Sequence, residues 1–336
     1  MSLDLQVPFE IHEESQVGQV RRRAHTIAMN AGLTEDQANN TAIIGSEAAT
    51  NLVKHGDGGE LLLRQLSSGI EIIAIDKGKG MTDVSRCLSD GYSSSGTAGT
   101  GLGAIRRLSS LFDIYSRPNA GTVVLSRLQS PATPSGRMDI GVICRPKVGE
   151  TFCGDAWASK QVGDEFWITV VDGLGHGPEA SQAAIEGVRM FRETSGHKST
   201  IDVVEAMHGA LRKTRGAAVA VAAINRAGQQ LRFSGVGNIA GTVLNHGSWK
   251  SMMSHNGILG HEVRRIQEFT NPWEPGSKLV MNSDGLSTWT LDRYPGLFTR
   301  HASLIAAVLY RDFWRKRDDV TVFVAQENVA QENRAA

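Results

Sequence analysis

The chain has 336 residues, and its 35 lysines and arginines balance 35 aspartates and glutamates. With no net charge, the protein has no overall positive potential to attract nucleic acid or an anionic membrane. The length favours about two domains of roughly 150 residues. No apolar run reaches the roughly 18 residues of a membrane span. The acidic start lacks the basic region of a secretory signal, and the three cysteines lack metal-ligand spacing. We expect a cytoplasmic protein without membrane or nucleic-acid partners.

The first part of the chain combines a strand-like segment with helical patterns. Its periodicity predicts a strand over about 5–11 and a helix over about 17–31. Thr34 and Gln37 then form a capping-box pattern, which begins a second helix that runs to about residue 55. Glu47 and Asn51 are four residues apart on this helix, so they share one face.

Glycine-rich segments follow two strand-like runs at 60–66 and 70–76. The second run ends in Asp76-Lys77-Gly78-Lys79-Gly80, and the small-residue stretch over 93–108 contains Gly-Thr-Gly-Leu-Gly and passes into a helix. A hairpin closes this region, with Gly121-Thr122 at the start of its second strand. Glycines of this kind let backbone N–H groups approach a phosphate or a base closely.

The order ExxxN, DxGxG, GTGLG and a late Gly-Thr resembles the GHKL-type ATP-binding domains, in particular the RsbT, RsbW and SpoIIAB group of small serine kinases and anti-sigma factors. The resemblance covers about residues 5–128 and implies a Bergerat α/β sandwich that binds ATP. Glu47 would then act as base, Asn51 would hold a Mg²⁺ bridging the ATP phosphates, and seven residues would bind the nucleotide: Asp76, Gly78, Gly80, Gly99, Gly101, Gly103 and Thr122. We do not expect a sensor histidine kinase, because only about one helix precedes Thr34 and neither His12 nor His25 lies in a dimerising helical hairpin.

Four acidic landmarks mark the second half of the chain: Gly154-Asp155, Asp172-Gly173, Asp284-Gly285 and Asp318-Asp319. Three of them abut strand-like apolar runs, at 168–172, 278–284 and 318–324. Carboxylates that converge from strand ends make an oxygen-rich site suited to Mg²⁺ or Mn²⁺ rather than to zinc.

The order GD, DGxGHG, SDG and DDxT resembles the PPM-type metal-dependent serine/threonine phosphatases, in particular the SpoIIE and RsbX branch, over about residues 138–326. The resemblance implies an αββα β-sandwich with two divalent ions. Asp172 would bridge the ions, the Gly173 carbonyl would bind one, Asp284 and Asp318 would hold the other, and Asp155 would act on the second ion directly or through water.

Three assignments in this half keep alternative interpretations. Asp318 is favoured over Asp319 because neighbouring strand residues point to opposite faces. His176 is either a proton donor to the leaving alkoxide or, by preference, a structural residue of the turn. Arg145 or Lys147 could bind the phosphate in place of the amino-terminal arginine of eukaryotic relatives.

We therefore predict an α/β (α+β) chain with a GHKL-type domain at 1–128, a Pro- and Ser-rich linker at 129–137, a PPM-type domain at 138–326 and a tail at 327–336. The predicted function is bifunctional regulation of a bacterial partner switch, with ATP and Mg²⁺ or Mn²⁺ as cofactors. Its partner would be a STAS-domain antagonist, with a sigma factor or other switch protein downstream. Two alternatives stay open: a phosphatase whose GHKL half only binds a partner, and a nucleotide-sensing scaffold with both centres silent.

Overall fold

The computed structural model describes residues 5–88, 101–130, 138–194, 199–245, 247–290 and 292–327. These residues form two compact units. The first contains residues 5–130 and 292–311, and the second contains 138–290 and 312–327. Within the described ranges, no helix combines the length and the apolar character that crossing a bilayer requires.

The first unit is built on one five-stranded antiparallel sheet of order β1-β2-β3-β5-β4. Its strands are β1 Val7–Ile11, β2 Gly59–Leu66, β3 Gly69–Ile75, β4 Leu111–Ser116 and β5 Thr122–Gln129. Its amino-terminal helices are α1 Val17–Asn30, α2 Glu35–His55, α3 Val84–Cys87 and α4 Gly101–Leu108. The strand and the two long helices predicted at the start of the chain are confirmed.

Helices α1, α2 and α4 pack on one face of this sheet. The Thr34 hydroxyl accepts the Gln37 N–H, and the Gln37 side chain accepts the Thr34 N–H, so the predicted capping box begins α2. Apolar side chains of the helices, such as Val20 and Leu52, join Ile70 and Ile72 of β3 in one buried cluster. Burial of this helix-facing surface is the main source of the unit's stability.

The opposite face of the sheet is also buried, and it carries a charged cluster. Glu71 on β3 lies opposite Arg64 on β2 and Arg127 on β5. Its carboxylate accepts hydrogen bonds from Arg64 Nε at 3.0 Å and Arg127 Nε at 2.7 Å. Burial alone would raise the pKa of Glu71, but Arg64, Arg127 and a hydrogen bond from Ser303 lower it to about 2.

Ser303 belongs to α7 (Ala302–Phe313), far along the chain from this sheet. Its hydroxyl donates to Glu71 Oε2 at 2.6 Å, and Arg127 Nη2 donates to that hydroxyl at 2.7 Å. On the same helix the Tyr310 hydroxyl donates to Glu60 at 2.8 Å. Residues 292–311 therefore pack as part of the first unit, although they lie within the range predicted for the phosphatase domain.

The second unit contains two five-stranded antiparallel sheets, of order β13-β10-β9-β8-β7 and β12-β11-β14-β15-β6. The first has strands β7 Asp155–Val162, β8 Glu165–Gly173, β9 Ala217–Asn225, β10 Gln230–Val236 and β13 Phe269–Pro272. The second has β6 Met138–Arg145, β11 Ala240–Asn245, β12 Ser248–Met252, β14 Lys278–Asn282 and β15 Val320–Glu327. Helices α5 Pro178–Glu193 and α6 Thr200–Leu211 pack on the first of these sheets, at β7 to β10.

The two sheets meet through buried aromatic and aliphatic side chains. Trp157 of β7 lies against Phe323 of β15, with 5.6 Å between ring centroids. Cys144 and Cys153 are free thiols buried in this core. Because the strands are locked in register by this core, the residues at their ends keep fixed relative positions.

The Glu71 cluster generates a stability prediction. Glu71→Gln leaves two buried guanidinium groups without their anion, so we expect the free energy of unfolding to fall by about 3–5 kcal/mol at pH 7. A carboxyl group whose pKa is lower in the folded than in the unfolded chain stabilises the fold at pH values above its unfolded pKa. This contribution is lost as the pH falls through the folded pKa. Here the loss runs from about pH 4.5 to about 2 and amounts to about 3 kcal/mol.

Urea unfolding of the full chain at several pH values, followed by circular dichroism, measures both effects. Glu262→Gln is the matched control, because the Glu262 side chain is 83% exposed and 3.8 Å from Arg264. Equal stability of the Glu71 and Glu262 variants at pH 7 would contradict the stabilising role of the cluster.

Candidate functional site

The acidic residues of the second unit gather where strands of both sheets end. Asp155 begins β7 and lies directly opposite Asp172, near the end of β8. Asp284 follows β14, and Asp318 precedes β15, which is paired with β14. The antiparallel pairing of each strand couple thus brings distant sequence motifs to one end of the sandwich.

A cavity of about 470 Å³ opens at this end. Its acidic wall is formed by Asp172, Asp284 and Asp318. Its other lining residues are Leu174, Gly175, His176, Ala218, Gly237, Asn238, Asn256, Gly257, Ile258 and Arg317. Two glycine-rich segments, at 235–241 and 256–260, therefore contribute to the wall.

Asp155 is fully buried, and the Ser283 and Thr321 side chains lie against its carboxyl group. The Ser283 hydroxyl donates to its Oδ2 at 2.6 Å, while no described group hydrogen-bonds to its Oδ1. Burial, together with the charges of Asp319 and Asp284, raises the pKa of Asp155 to about 7. A buried carboxylate oxygen without a donor is the kind of atom that a metal ion or its water would satisfy.

Burial and mutual repulsion raise the pKa of the other carboxyl groups as well. The pKa of Asp172 lies well above its usual range because of burial and the charges of Asp155 and Asp284. Burial and the neighbouring Asp318 raise the pKa of Asp284. Groups that resist ionisation next to each other become anionic together when a divalent cation lies among them.

The donor set suits a hard divalent ion that keeps part of its water. Among the described residues, no three carboxylate, imidazole or thiol groups lie close enough to enclose an ion alone. Mg²⁺ commonly takes only one or two carboxylates and retains several waters. The carboxylates around the cavity and the unpaired Asp155 oxygen therefore fit Mg²⁺ or Mn²⁺ with water completing the coordination.

Asp318 and Asp319 lie in different surroundings. Asp318 lines the cavity, whereas Asp319 is 3% exposed and accepts the Lys147 backbone N–H at 2.9 Å. Both residues precede β15 rather than lying within it, so strand alternation does not separate them. The assignment of Asp318 as a metal ligand stays a prediction, supported by its place on the cavity wall.

The remaining interpretations for this site concern His176, Gly173 and the basic residues upstream. His176 Nδ1 lies 2.9 Å from Glu150, which ties its imidazole to the loop between β6 and β7. A side chain on Gly173 would meet the Ala180 carbonyl at 2.1 Å, so only glycine fits beside α5. Arg145 is 8% exposed, and neither it nor Lys147 lines the cavity.

In the first unit, α2 and α4 bring the predicted ATP-site residues together. Glu47 and Asn51 face the start of α4, where a Cβ on Gly101 would lie 2.9 Å from Glu47 Oε2 and 3.2 Å from Asn51 Oδ1. Asn51 Nδ2 is buried without a hydrogen-bond partner among the described residues. Gly103 is a buried position within α4, and Gly99 lies outside the described residues.

Asp76 forms the second half of this site at the end of β3. Its Oδ1 accepts the N–H groups of Gly78 at 2.9 Å and Thr122 at 3.0 Å. Burial raises the pKa of Asp76, and these two donors oppose the rise. Gly80 has φ +62°, and a Cβ there would lie 1.9 Å from the Arg117 carbonyl, so the turn requires glycine.

Three side chains at the acidic cavity were not identified from the sequence. Asn238 Nδ2 donates to Asp284 Oδ2 at 2.6 Å, Ser283 positions Asp155, and Arg317 lines the cavity. Each lies next to a glycine or aspartate of a recognised motif. Their position beside these motifs indicated that they lie near the site. The motifs alone did not show which polar side chain points toward the cavity or toward Asp155.

Comparison with known families identifies two domain families along the chain. Residues 11–127 match the histidine kinase-like ATPase domain family, and residues 163–327 match the stage II sporulation protein E (SpoIIE) family. The serine/threonine-protein kinase RsbT of Bacillus subtilis is 33% identical over 119 residues, covering 34% of this chain and 89% of RsbT. The phosphoserine phosphatase RsbX of the same organism is 27% identical over 143 residues, covering 42% of this chain and 71% of RsbX.

A crystal structure of RsbX in complex with magnesium has the same fold as the second unit. It superposes with a TM-score of 0.51 at 22% identity, covering 58% of this chain and 98% of RsbX. The chain therefore joins an ATPase-like domain to a PP2C-type serine/threonine phosphatase domain. Through its first domain it belongs to the histidine kinase-like ATPase family, and its second domain is similar to the SpoIIE family. The predicted fold class and family resemblance are confirmed.

The Ser283 contact generates a prediction for metal binding. Ser283→Ala removes the hydrogen bond that orients Asp155, and loss of such an outer contact lowers metal affinity by about 10- to 100-fold. We expect this weakening for Mn²⁺, measured by isothermal titration calorimetry on the full chain.

Ser287→Ala is the matched control, because the Ser287 hydroxyl donates to the Phe313 carbonyl at 2.9 Å and contacts no carboxylate in the described structure. Equal Mn²⁺ affinity in the Ser283 and Ser287 variants would show that the buried hydrogen bond does not support the metal site.

Proposed function

We propose that the chain both phosphorylates and dephosphorylates one STAS-domain protein, as a serine kinase and a metal-dependent phosphoserine/phosphothreonine phosphatase in a bacterial partner switch. The observation that carries this proposal is that one chain holds two separate sites with the residues each reaction needs. Glu47 and Asn51 face the start of α4 in one unit, and three aspartates line the cavity of the other.

In the phosphatase half, Asp172, Asp284 and Asp318 would hold two divalent ions together with Asp155 and the Gly173 carbonyl. When bound, such ions supply a water of lowered pKa and neutralise phosphate charge. The protein's own part is orientation: Asn238 fixes Asp284 at 2.6 Å, and Ser283 fixes Asp155 at 2.6 Å. The neighbouring His176 is oriented by Glu150 at 2.9 Å and so supports the loop beside the cavity.

In the kinase half, the roles divide between two positions of α2. Asn51 would contact the Mg²⁺ of bound ATP through its amide oxygen. Glu47, one turn earlier, would accept the proton of the attacking serine hydroxyl. Asp76 would accept a hydrogen bond from the adenine amino group, while Thr122 and the glycines Gly78, Gly80, Gly99, Gly101 and Gly103 complete the nucleotide site.

A shared substrate follows from joining opposed activities in one chain. A linker of about ten residues keeps the two active sites at roughly millimolar effective concentration with respect to each other. A STAS-domain protein released from one site therefore remains near the other, and the ratio of the two rates sets its phosphorylated fraction. A sigma factor or another output would respond to that fraction. We propose a cytoplasmic location for this reaction, which the free cysteines and the use of ATP support.

The phosphorylation level of a purified STAS-domain protein tests this function. With radiolabelled ATP, Mg²⁺ and Mn²⁺, we expect partial steady-state phosphorylation by the wild-type chain and ATP hydrolysis that requires the STAS protein. Asp172→Asn should drive the STAS protein to full phosphorylation, because removal of a bridging carboxylate weakens metal binding. Glu47→Ala should leave the STAS protein unmodified.

Asp164→Asn, in the exposed turn between β7 and β8, serves as the control and should behave like wild type. If mass spectrometry assigns phosphorylation and dephosphorylation to different serines, the shared-substrate proposal is wrong. If the Asp172 variant dephosphorylates a phosphoserine peptide at the wild-type rate, the metal assignment is wrong.

A second prediction separates a kinase from a nucleotide-dependent binding module. Asn51→Ala should abolish Mg²⁺-ATP binding, whereas Glu47→Ala should keep ATP affinity and lose phosphotransfer, since the first residue serves the metal and the second the hydroxyl. Calorimetric titration with a non-hydrolysable ATP analogue measures the affinity. Equal loss of affinity in both variants, or wild-type phosphotransfer by Glu47→Ala, would contradict this division of roles.

A further inference from the structure

Arg317 is a basic side chain in the wall of an otherwise acidic cavity. It lies immediately before Asp318 and lines the same space as Asp172 and Asp284. Among the lining residues it is the only lysine or arginine, and its side chain is exposed to the cavity solvent. A phosphorylated residue that enters this space therefore meets a guanidinium group beside the carboxylates.

The guanidinium of Arg317 forms no hydrogen bond or ion pair with any described residue. This differs from other arginines of the same unit, such as Arg232, which is 2.7 Å from Glu165, and Arg189, which is 2.6 Å from Glu186. Three carboxylates share the cavity with Arg317, yet none of them pairs with it in the described structure. Its hydrogen-bond donors thus remain available to an anion.

The backbone around Arg317 is fixed relative to the metal-binding segments. Arg315 N–H donates to the Gly285 carbonyl at 2.9 Å, next to Asp284. The Trp314 indole donates to the Asp318 carbonyl at 3.1 Å, which closes the turn that contains Arg317. Lys316 adopts φ +60° within this turn. Arg317 therefore starts from an ordered position beside two of the predicted metal ligands.

The other basic residues near the site do not offer the same group. Arg145 is buried and lies outside the cavity wall, and the described contact of Lys147 is through its backbone N–H to Asp319. His176 is paired with Glu150. A guanidinium presents donors in a planar fork that matches two phosphate oxygens, and such charge-assisted pairs are stronger than neutral hydrogen bonds.

We propose that Arg317 binds the phosphoryl oxygens of the phosphoserine or phosphothreonine substrate and holds them in the cavity. This proposal deepens the proposed phosphatase function, on which it rests. Arg317 would favour phosphomonoesters over uncharged esters, because the acid-lined cavity repels anions unless metal ions and this guanidinium offset its charge. The role makes no use of the amino-terminal unit.

Arg317→Ala, Arg317→Lys and the control Lys316→Ala test this role in the full chain with Mn²⁺. Lys316 is adjacent, exposed and equally charged, and it does not line the cavity. Three quantities are measured for each variant: the kcat and KM for a phosphoserine peptide, the calorimetric Kd for inorganic phosphate, and the Kd for Mn²⁺.

We expect Arg317→Ala to raise both the KM and the phosphate Kd by about 10- to 100-fold, the usual effect of losing charge-assisted hydrogen bonds. Arg317→Lys should restore part of the affinity as a point charge. Mn²⁺ affinity should stay at the wild-type value in all variants, and Lys316→Ala should match wild type throughout.

Two results would overturn the role of Arg317. One is an Arg317→Ala variant with the phosphate Kd of Lys316→Ala; the other is a loss of Mn²⁺ binding, which would make the arginine structural. Failure of the phosphatase function itself has a different signature. If the wild-type chain binds phosphate through Arg317 but does not hydrolyse the phosphoserine peptide, the proposed phosphatase function is wrong and the role of Arg317 in phosphate binding stands. If the Arg317→Ala variant hydrolyses the peptide with the wild-type kcat and KM, the phosphatase function stands and the role of Arg317 is wrong.

Discussion

The burial of several carboxyl groups at one end of the sandwich constrains the whole second unit. Asp155 and Asp172 face each other on paired strands, and Asp284 and Asp318 arrive from the other sheet. Like charges in a region of low water content repel, and this repulsion raises their pKa values. The arrangement persists because the strands that carry these residues are locked by the apolar core between the sheets. The apolar core thus offsets the repulsion among carboxylates at a site that is complete only with cations.

The first unit treats buried charge in the opposite way. Glu71 is fully compensated by Arg64 and Arg127 and by the Ser303 hydroxyl, so its pKa falls to about 2 instead of rising. The cluster leaves no need for an external ion. Buried ionic clusters of this type act mainly by penalising any arrangement that breaks them. Glu71 is neutralised by arginines of the protein itself, so its role is structural. The carboxylates around the cavity lack such partners among the described residues, so they are available to metal ions.

Much of both sites could be predicted from the sequence because the relevant signals are local. Glu47 and Asn51 share a helix face by spacing alone. Asp172 lies one residue before a glycine and Asp76 lies two residues before one, each at a strand end. The capping box likewise defines the start of α2 from two residues three positions apart, Thr34 and Gln37. Such patterns depend on residues close together in the sequence, so the structure that they predict depends little on the rest of the fold.

The remaining features could not be predicted because they depend on distant parts of the chain. Ser283 turns toward Asp155, 128 positions away, and Ser303 reaches Glu71 across 232 positions. Asp318 and Asp319 differ because one faces the cavity and the other the Lys147 N–H, a distinction set by a neighbouring loop. The sequence does not show where the side chain of a polar residue next to a motif points, because this depends on how the strands pair and the sheets pack.

The place of residues 292–311 in the first unit makes the two units interleaved in sequence rather than consecutive. A gene fragment that stops at the linker would encode the sheet without α7 and would leave Arg64, Glu71 and Arg127 without the Ser303 hydroxyl. A fragment that begins at the linker would carry α7 away from the face it covers. A division of the chain at the linker would therefore separate residues 302–311 from the sheet face that they cover, and an evolutionary exchange of either unit would have to keep this helix.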